Sequence, residues 1–280
     1  LRAELANVRG ALAWFAESGD PDRLLRLASA LGWCWAVFGP FDEGRAWLER
    51  ALALGHAAPG EARAPALYGL AAMCMCVGDR PLALTFCDQA IGLFRESEDV
   101  HGLALALRLG AIVEAQLGNP ARASPRLDEA LGLVARLGDA DWVASFESTL
   151  LSDLGDAALA DGALDAAERA YRAAIERLRA AGFPPGAAPL MGGEPFAGLG
   201  RVARARGQHA EAVRRYQDCL RHAVRSGYVW AIGHALAGIA GGLAAAGRWR
   251  DAARFFGAAE AFHASNGWEF EQETMALQRA

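Results

Sequence analysis

An all-α solenoid of helical hairpins is the fold class this sequence predicts, on three observations. First, one spaced pattern occurs six times: a Gly, then Ala or Gly five residues on, a small residue at twelve and usually an aliphatic at thirteen. The copies read Gly39/Gly44/Ala51/Leu52, Gly78/Ala83/Ala90/Ile91, Gly118/Ala123/Ala130/Leu131, Gly162/Ala167/Ala174/Ile175, Gly207/Ala212/Cys219/Leu220 and Gly247/Ala252/Ala259/Glu260. Second, the lead glycines fall 39, 40, 44, 45 and 40 residues apart. Self-similarity at such a period marks two-helix units that complete a core only by stacking. Third, apolar residues recur at three- and four-residue spacing between the glycines, as in Leu127, Ala130, Leu131 and Val134, and no strand pattern interrupts them.

The elements follow in order. A leading helix is expected at 2–18, then hairpins at 21–37/41–55, 62–77/80–96, 100–117/120–137, 139–161/164–181, 190–206/209–226 and 228–246/249–266, and a last helix at 269–279. Each lead Gly follows a helix and opens a tight turn, as in Gly78-Asp79-Arg80-Pro81, Gly118-Asn119-Pro120 and Asp161-Gly162. Gly tolerates the positive φ of a helix C-terminus, and Pro suits the first turn of the next helix. The small residues at five and twelve let the paired helices, and then the next hairpin, approach closely. Residues 181–194, with Pro184, Pro185 and Pro189, read as an insertion between the fourth and fifth repeats. The final helix, polar through Glu269, Glu271, Gln272 and Glu273, reads as a cap over 268–280 or the start of a further repeat. One array over 1–280 is therefore expected, with repeats near 21–55, 62–96, 100–137, 139–181, 190–226 and 228–266 and the helix 1–18 ahead of them.

Composition narrows the function. A net charge of −5 argues against a nucleic-acid surface. All 28 basic residues are Arg; with the Ala and Gly content this points to a GC-rich bacterial genome, and it rules out a P-loop lysine, a Schiff base or a Ser-Lys dyad. Cys34, Cys74, Cys76, Cys87 and Cys219 sit in apolar helical contexts and read as buried, reduced thiols of a cytoplasmic protein. Residues 226–247 carry no charge, yet they fall where the repeat demands a first helix, so a buried inner helix is expected and no membrane span. No signal peptide is visible, and with Leu1 in place of Met a segment of something longer is expected.

These residues resemble the tetratricopeptide repeat (TPR). In that family a Gly-x-Tyr-x-x-Ala turn joins helices A and B, and a Leu-Gly pair sits in helix A. Here the turn appears six times, and Leu31-Gly32, Leu154-Gly155 and Leu199-Gly200 hold the pair eight and seven residues before their lead Gly. Phe41 and Trp249 fill the aromatic slot, where the other repeats carry Arg80, Pro120, Leu164 and His209. The long period is similar to that in bacterial signal-transducing ATPase regulators of the LuxR and antibiotic-regulator types. Two segments resemble them further: residues 5–14, Leu5 to Trp14, and residues 252–261, Ala252 to Ala261. The resemblance implies a right-handed TPR-like α-α superhelix of six to seven hairpins.

Catalytic motifs are thin: the chain has no GxSxG, HExxH, Walker or zinc-spaced CxxC sequence. No cofactor and no metal site is expected. In TPR arrays, helix A residues thirteen, ten, six, three and two before the lead Gly line the concave groove. Counting back selects Arg26, Ser29 and Trp33, then Tyr68, Met75 and Cys76, then Arg108 and Glu114 in a repeat of ambiguous register. The fourth repeat gives Thr149, Ser152 and Asp156, the fifth Glu194, Arg201 and Arg204, and the sixth His234. Arg201 and Arg204, three apart on one face, read either as a bidentate clamp for carboxylate or phosphate or as a salt-bridged pair. Trp33 and Tyr68 read either as a stacking platform or as inter-repeat core. Met73 and Met75 read as gap-fillers, and Trp142 and Trp230 as packing.

The resulting expectation is a non-catalytic module that binds a peptide, a partner protein or a small effector in its groove, within a cytoplasmic transcriptional regulator. It makes no nucleic-acid or membrane contact of its own. A scaffold or homo-oligomerisation unit is the alternative, followed by an α/α-toroid enzyme with paired carboxylates.

Overall fold

The computed structural model describes residues 4–38, 41–138, 141–182, 195–226 and 229–265. Among them are thirteen helices and no strands. They are α1 (Leu5–Glu17), α2 (Pro21–Phe38), α3 (Phe41–Leu54), α4 (Gly60–Cys76), α5 (Arg80–Glu96), α6 (Val100–Gln116), α7 (Pro120–Val134), α8 (Asp141–Ala160), α9 (Leu164–Ala180), α10 (Pro195–Ala205), α11 (His209–Ser226), α12 (Val229–Ala245) and α13 (Trp249–Ser265). Each matches an expected helix, nearly all within three residues at either end. The start of α10 at Pro195 is the largest difference, because 190–194 lie outside the described residues, as do Gly39 and the expected helix 269–279.

The turns between A and B helices share one hydrogen-bonded design. Gly78, Gly118, Gly162, Gly207 and Gly247 all have φ between 72° and 85°. In each case the glycine N–H and the next residue's N–H reach back into the preceding helix: Gly78 to Met75 O and Asp79 to Cys74 O, and likewise Gly207 to Arg204 O and Gln208 to Ala203 O. That is the Schellman closure, which satisfies two carbonyls the helix end would otherwise leave open. Asp79 then caps α5 by accepting from the Leu82 N–H at 3.3 Å.

The chain divides into two compact units, Leu1–Val134 and Ala135–Ala280. The first holds α1 and the hairpins α2/α3, α4/α5 and α6/α7; the second holds α8/α9, α10/α11 and α12/α13. Within each unit successive A helices touch: α2 with α4 and α4 with α6, α8 with α10 and α10 with α12. Successive B helices make no comparable contact within either unit. The A helices therefore line the tighter, inner side of each unit.

Small residues decide that spacing. Ala83, Ala123, Ala167, Ala212 and Ala252 at position five, and Ala51, Ala90, Ala130, Ala174, Cys219 and Ala259 at position twelve, are at most 3% exposed. The residue nine after the lead Gly is a knob on helix B. It enters a socket formed by its own A helix and the next one. In three repeats that socket is two glycines: Gly32 and Gly69 around Leu48, Gly155 and Gly198 around Tyr171, Gly200 and Gly238 around Tyr216. A Cβ on Gly198 would lie 2.3 Å from the Tyr171 ring, and one on Gly238 the same distance from Tyr216. In the α4/α5 hairpin the knob is Cys87, which shares a core cluster with Ala71 and Leu109 and has Gly110 of α6 beside it. Knob and socket volumes thus compensate, as close packing requires.

One expectation needs correction. Only Cys74, Cys87 and Cys219 are buried; Cys34 is half-buried, and Cys76, in the last turn of α4 where the helix leaves the core, is exposed. Burial pushes the Cys87 thiol up to about 12, which keeps it protonated and unreactive. The uncharged stretch is the inner helix α12, whose Ala231, Ala235, Ile239 and Leu243 join a core with Tyr216 and Cys219. No described helix is long and apolar enough to cross a membrane.

Candidate functional site

In the second unit the inner side carries a polar cluster built from three helices. Asp156 on α8 and Arg201 on α10 stand at the same register, six residues before their lead glycines, and adjacent A helices bring them together as an ion pair. Tyr171 comes from behind, on α9. Its ring is fully buried between Gly155 and Gly198, and its hydroxyl donates to the same Asp156 oxygen, Oδ1, that accepts from Arg201 Nη2. Arg201 Nη2 also lies 3.3 Å from the Tyr171 hydroxyl, and its guanidinium sits 5.9 Å from the ring centroid. The two glycines make this possible, because any side chain there would fill the passage the phenol uses.

Burial raises the Tyr171 phenol above its ordinary range, with Asp156 acting in the same sense and Arg201 against it. The hydroxyl is therefore a permanent donor that holds one carboxylate oxygen. The cluster is not sealed: the Asp156 side chain is 43% exposed and that of Arg201 26%. Arg204, one turn further along the same face of α10, is half-buried and forms no ion pair among the described residues. Elsewhere its neighbours are neutralised. Arg206 spans Asp165 and Glu168 at 2.5 Å each, and that bond holds the Glu168 carboxyl below the usual carboxylate range.

The other selected residues of this unit fall differently. Ser152 is fully buried and returns its hydroxyl to the Ser148 carbonyl at 2.9 Å, so it is packing and does not line an open groove. Thr149 is buried likewise and bonds the Ser145 carbonyl at 3.0 Å. His234 is half-buried, its ring centroid 6.3 Å from that of the buried His263. Glu194 lies outside the described residues, and so does the side chain of Trp230; Trp142 stacks on Phe146 at 5.0 Å.

The first unit gathers a smaller set. Tyr68 on α4 and Arg108 on α6 share the register ten residues before their lead glycines, and both are half-buried. Burial raises the Tyr68 phenol while the nearby Arg108 opposes the shift. Met75 is half-buried against the core, with Met73 wholly inside it. Arg26 is exposed, Ser29 is half-buried with a hydroxyl that finds no hydrogen-bond partner, and the Trp33 side chain lies outside the described ones. Glu114 corrects the expectation most clearly. It is 2% exposed and turned into the α6/α7 hairpin, where Asn119 donates at 3.0 Å and Arg126 and Arg122 stand at 3.7 and 3.9 Å. The third repeat's shifted Leu-Gly pair obscured that register.

Counting back along the A helices does not reach Tyr171, the member of the Asp156–Arg201 cluster that comes from helix B. Its signal was the repetition of Tyr at Tyr171 and Tyr216, each paired with a Gly sixteen residues earlier. Among the described residues no group of three or more His, Cys, Asp or Glu side chains is placed to hold a metal ion.

No family model matches the chain, and no curated relative does. Solved structures match well. Nearly identical TPR-like repeats from Podosopora anserina, assigned to a kinesin light chain, superpose with a TM-score of 0.60 at 17% identity, over 74% of this chain and 98% of that one. This chain has a TPR-like helical repeat fold. The apo form of RapI matches with a TM-score of 0.69 at 11% identity, over 92% of this chain and 90% of RapI. A Rap protein complexed with Competence and Sporulation Factor matches with a TM-score of 0.59 at 12% identity, over 86% of this chain and 75% of that one. At these identities the likeness is one of fold.

Proposed function

We propose that the chain is a non-catalytic binding module that takes a peptide or partner-protein segment on the inner A-helix face of its second unit. One observation carries the reading. A helical-repeat face that packing alone would fill with apolar residues instead presents an aligned Asp156, Arg201 and Arg204, partly open to solvent and organised from behind by Tyr171. Polar side chains on rigid, preorganised helices bind with less ordering cost than loops. The fold likeness supports an interaction role, since a Rap protein of similar fold is complexed with Competence and Sporulation Factor. Resemblance to LuxR-type and antibiotic-regulator-type ATPases supports placing the module in a bacterial cytoplasmic transcriptional regulator, where an occupied face would favour one repeat packing over another.

The test is peptide display against the whole chain, followed by rebinding to variants. Selected peptides are expected to lose affinity on Arg204→Ala and to keep it on Arg172→Ala, on the outer helix α9. Peptides that bind both variants like the parent would overturn the reading.

A further inference from the structure

The Asp156–Arg201 pair has the form of an occupied site. Arg201 offers a guanidinium, the group best suited to forked recognition of a carboxylate, and what it grips is a carboxylate of this same chain. Asp156 is itself held in place by the Tyr171 hydroxyl, and Tyr171 is fixed between Gly155 and Gly198. Only Oδ1 takes these bonds, and the side chain is 43% exposed, so the carboxylate sits at the open end of the cluster. Arg204 stands one helical turn away, half-buried and without an ion pair among the described residues. Among the described residues of this cluster, two arginines thus stand beside the Asp156 carboxylate. Beyond it, Glu168, Asp165, Glu211, Asp218 and Asp251 are each spoken for by their own arginines.

We propose that Asp156 is an internal stand-in for an acidic side chain of the bound peptide. It occupies Arg201 until a ligand carboxylate, drawn by Arg204, displaces it. This rests on the reading of the inner face as the binding face and adds the ligand's chemistry and its regulation. Displacement frees Asp156 and removes the polar tie between α8 and α10, so occupancy of the face and the packing of two adjacent hairpins are linked. A ligand shifts such an equilibrium only by its differential affinity for the two arrangements, and here that difference is set by how firmly Asp156 holds Arg201. Acidic peptides must outcompete Asp156, whereas neutral and basic ones gain nothing from Arg204.

The experiment uses the full chain and two fluorescein-labelled octapeptides, one of alternating Ala and Glu, the other of alternating Ala and Lys. Asp156→Asn is expected to tighten the Glu peptide by roughly 5- to 150-fold, the usual span of a coupling between sites, and to leave the Lys peptide unchanged. Adding Arg201→Met and Arg204→Met to Asp156→Asn should abolish the gain. Tyr171→Phe, which removes one of the two bonds on Asp156, should give a smaller gain in the same direction and serves if Asp156→Asn does not fold.

No gain with either variant, or a gain that persists without both arginines, overturns the proposal. In the first case, if display-selected peptides still lose affinity on Arg204→Ala, the binding face stands and only the stand-in fails. If they do not, the binding face falls with it.

Discussion

The α4/α5 hairpin and the α8/α9 hairpin are the same architectural unit with opposite contents. In the first, the knob is Cys87, small enough to end inside the core that it shares with Ala71 and Leu109. In the second, the knob is Tyr171, long enough to cross the core between Gly155 and Gly198 and deliver a hydroxyl to the inner face. The carboxylates follow suit. Glu114 of the first unit is sealed in a hairpin at 2% exposure, while Asp156 of the second is 43% exposed in its side chain and shared with Arg201. The difference teaches that the volume of a socket sets how far the side chain behind it can reach toward the inner side. Two missing methyl groups let a tyrosine through, and the tyrosine organises an ion pair that would otherwise be two solvated side chains.

The sharpest way to break that comparison is to refill the socket. Gly198→Val should force Tyr171 from its slot and cost at least about 1–3 kcal/mol, the usual range for overpacking. Thermal unfolding checks it, and Tyr171→Ala in the same chain should recover part of the loss. Glu114→Ala should come next, at roughly 1–3 kcal/mol, since it removes a buried acceptor from Asn119 and from two arginines. Its effect should be on the first unit alone, measurable as faster amide exchange in α6 and α7.

Tyr171→Phe isolates the hydroxyl and should cost about 1 kcal/mol at neutral pH. The raised phenol adds a sign. Because the folded state holds the Tyr171 proton more tightly than the unfolded chain, the stabilisation is full below the ordinary tyrosine range and is lost as pH rises toward the folded value. The parent should therefore weaken at alkaline pH more than Tyr171→Phe does, in a pH series of denaturant midpoints. Smaller again, Arg206→Ala should cost below about 1 kcal/mol, since its ion pairs are largely at the surface. Glu168 is depressed, so this contribution is present above the ordinary carboxylate range and vanishes as pH falls through the folded value. Gly92→Ala is the counterweight to Gly198: a Cβ there meets nothing, so replacement should be neutral or gain up to about 1 kcal/mol of helix propensity.

Much of the fold was legible because it repeats. Five turns with the same positive φ and the same small residues at five and twelve leave the same trace in the sequence each time. The polar cluster was legible by half. Asp156, Arg201 and Arg204 emerge by counting back from the lead glycines, but the count gives register along one helix and says nothing of what the neighbouring helix offers. That is why Arg201 reads as clamp or ion pair until Asp156 is seen beside it. Ser152 was misplaced for a related reason: its hydroxyl is satisfied by the Ser148 carbonyl of its own helix, which lets a polar residue be buried at a position that counting marks as open. Glu114 was misplaced because the third repeat lacks the Leu-Gly pair at its usual distance.

The central claim is that Tyr171, Asp156 and Arg201 act as one unit across two hairpins. A double-mutant cycle between Tyr171→Phe and Arg201→Met, read from denaturant unfolding of the whole chain, tests it directly. Groups sharing one hydrogen-bond network couple by about 0.5–3 kcal/mol, and a value in that range is the expected result. Costs that simply add, within roughly 0.3–0.5 kcal/mol, would mean that the tyrosine and the arginine are independent neighbours and would contradict the account.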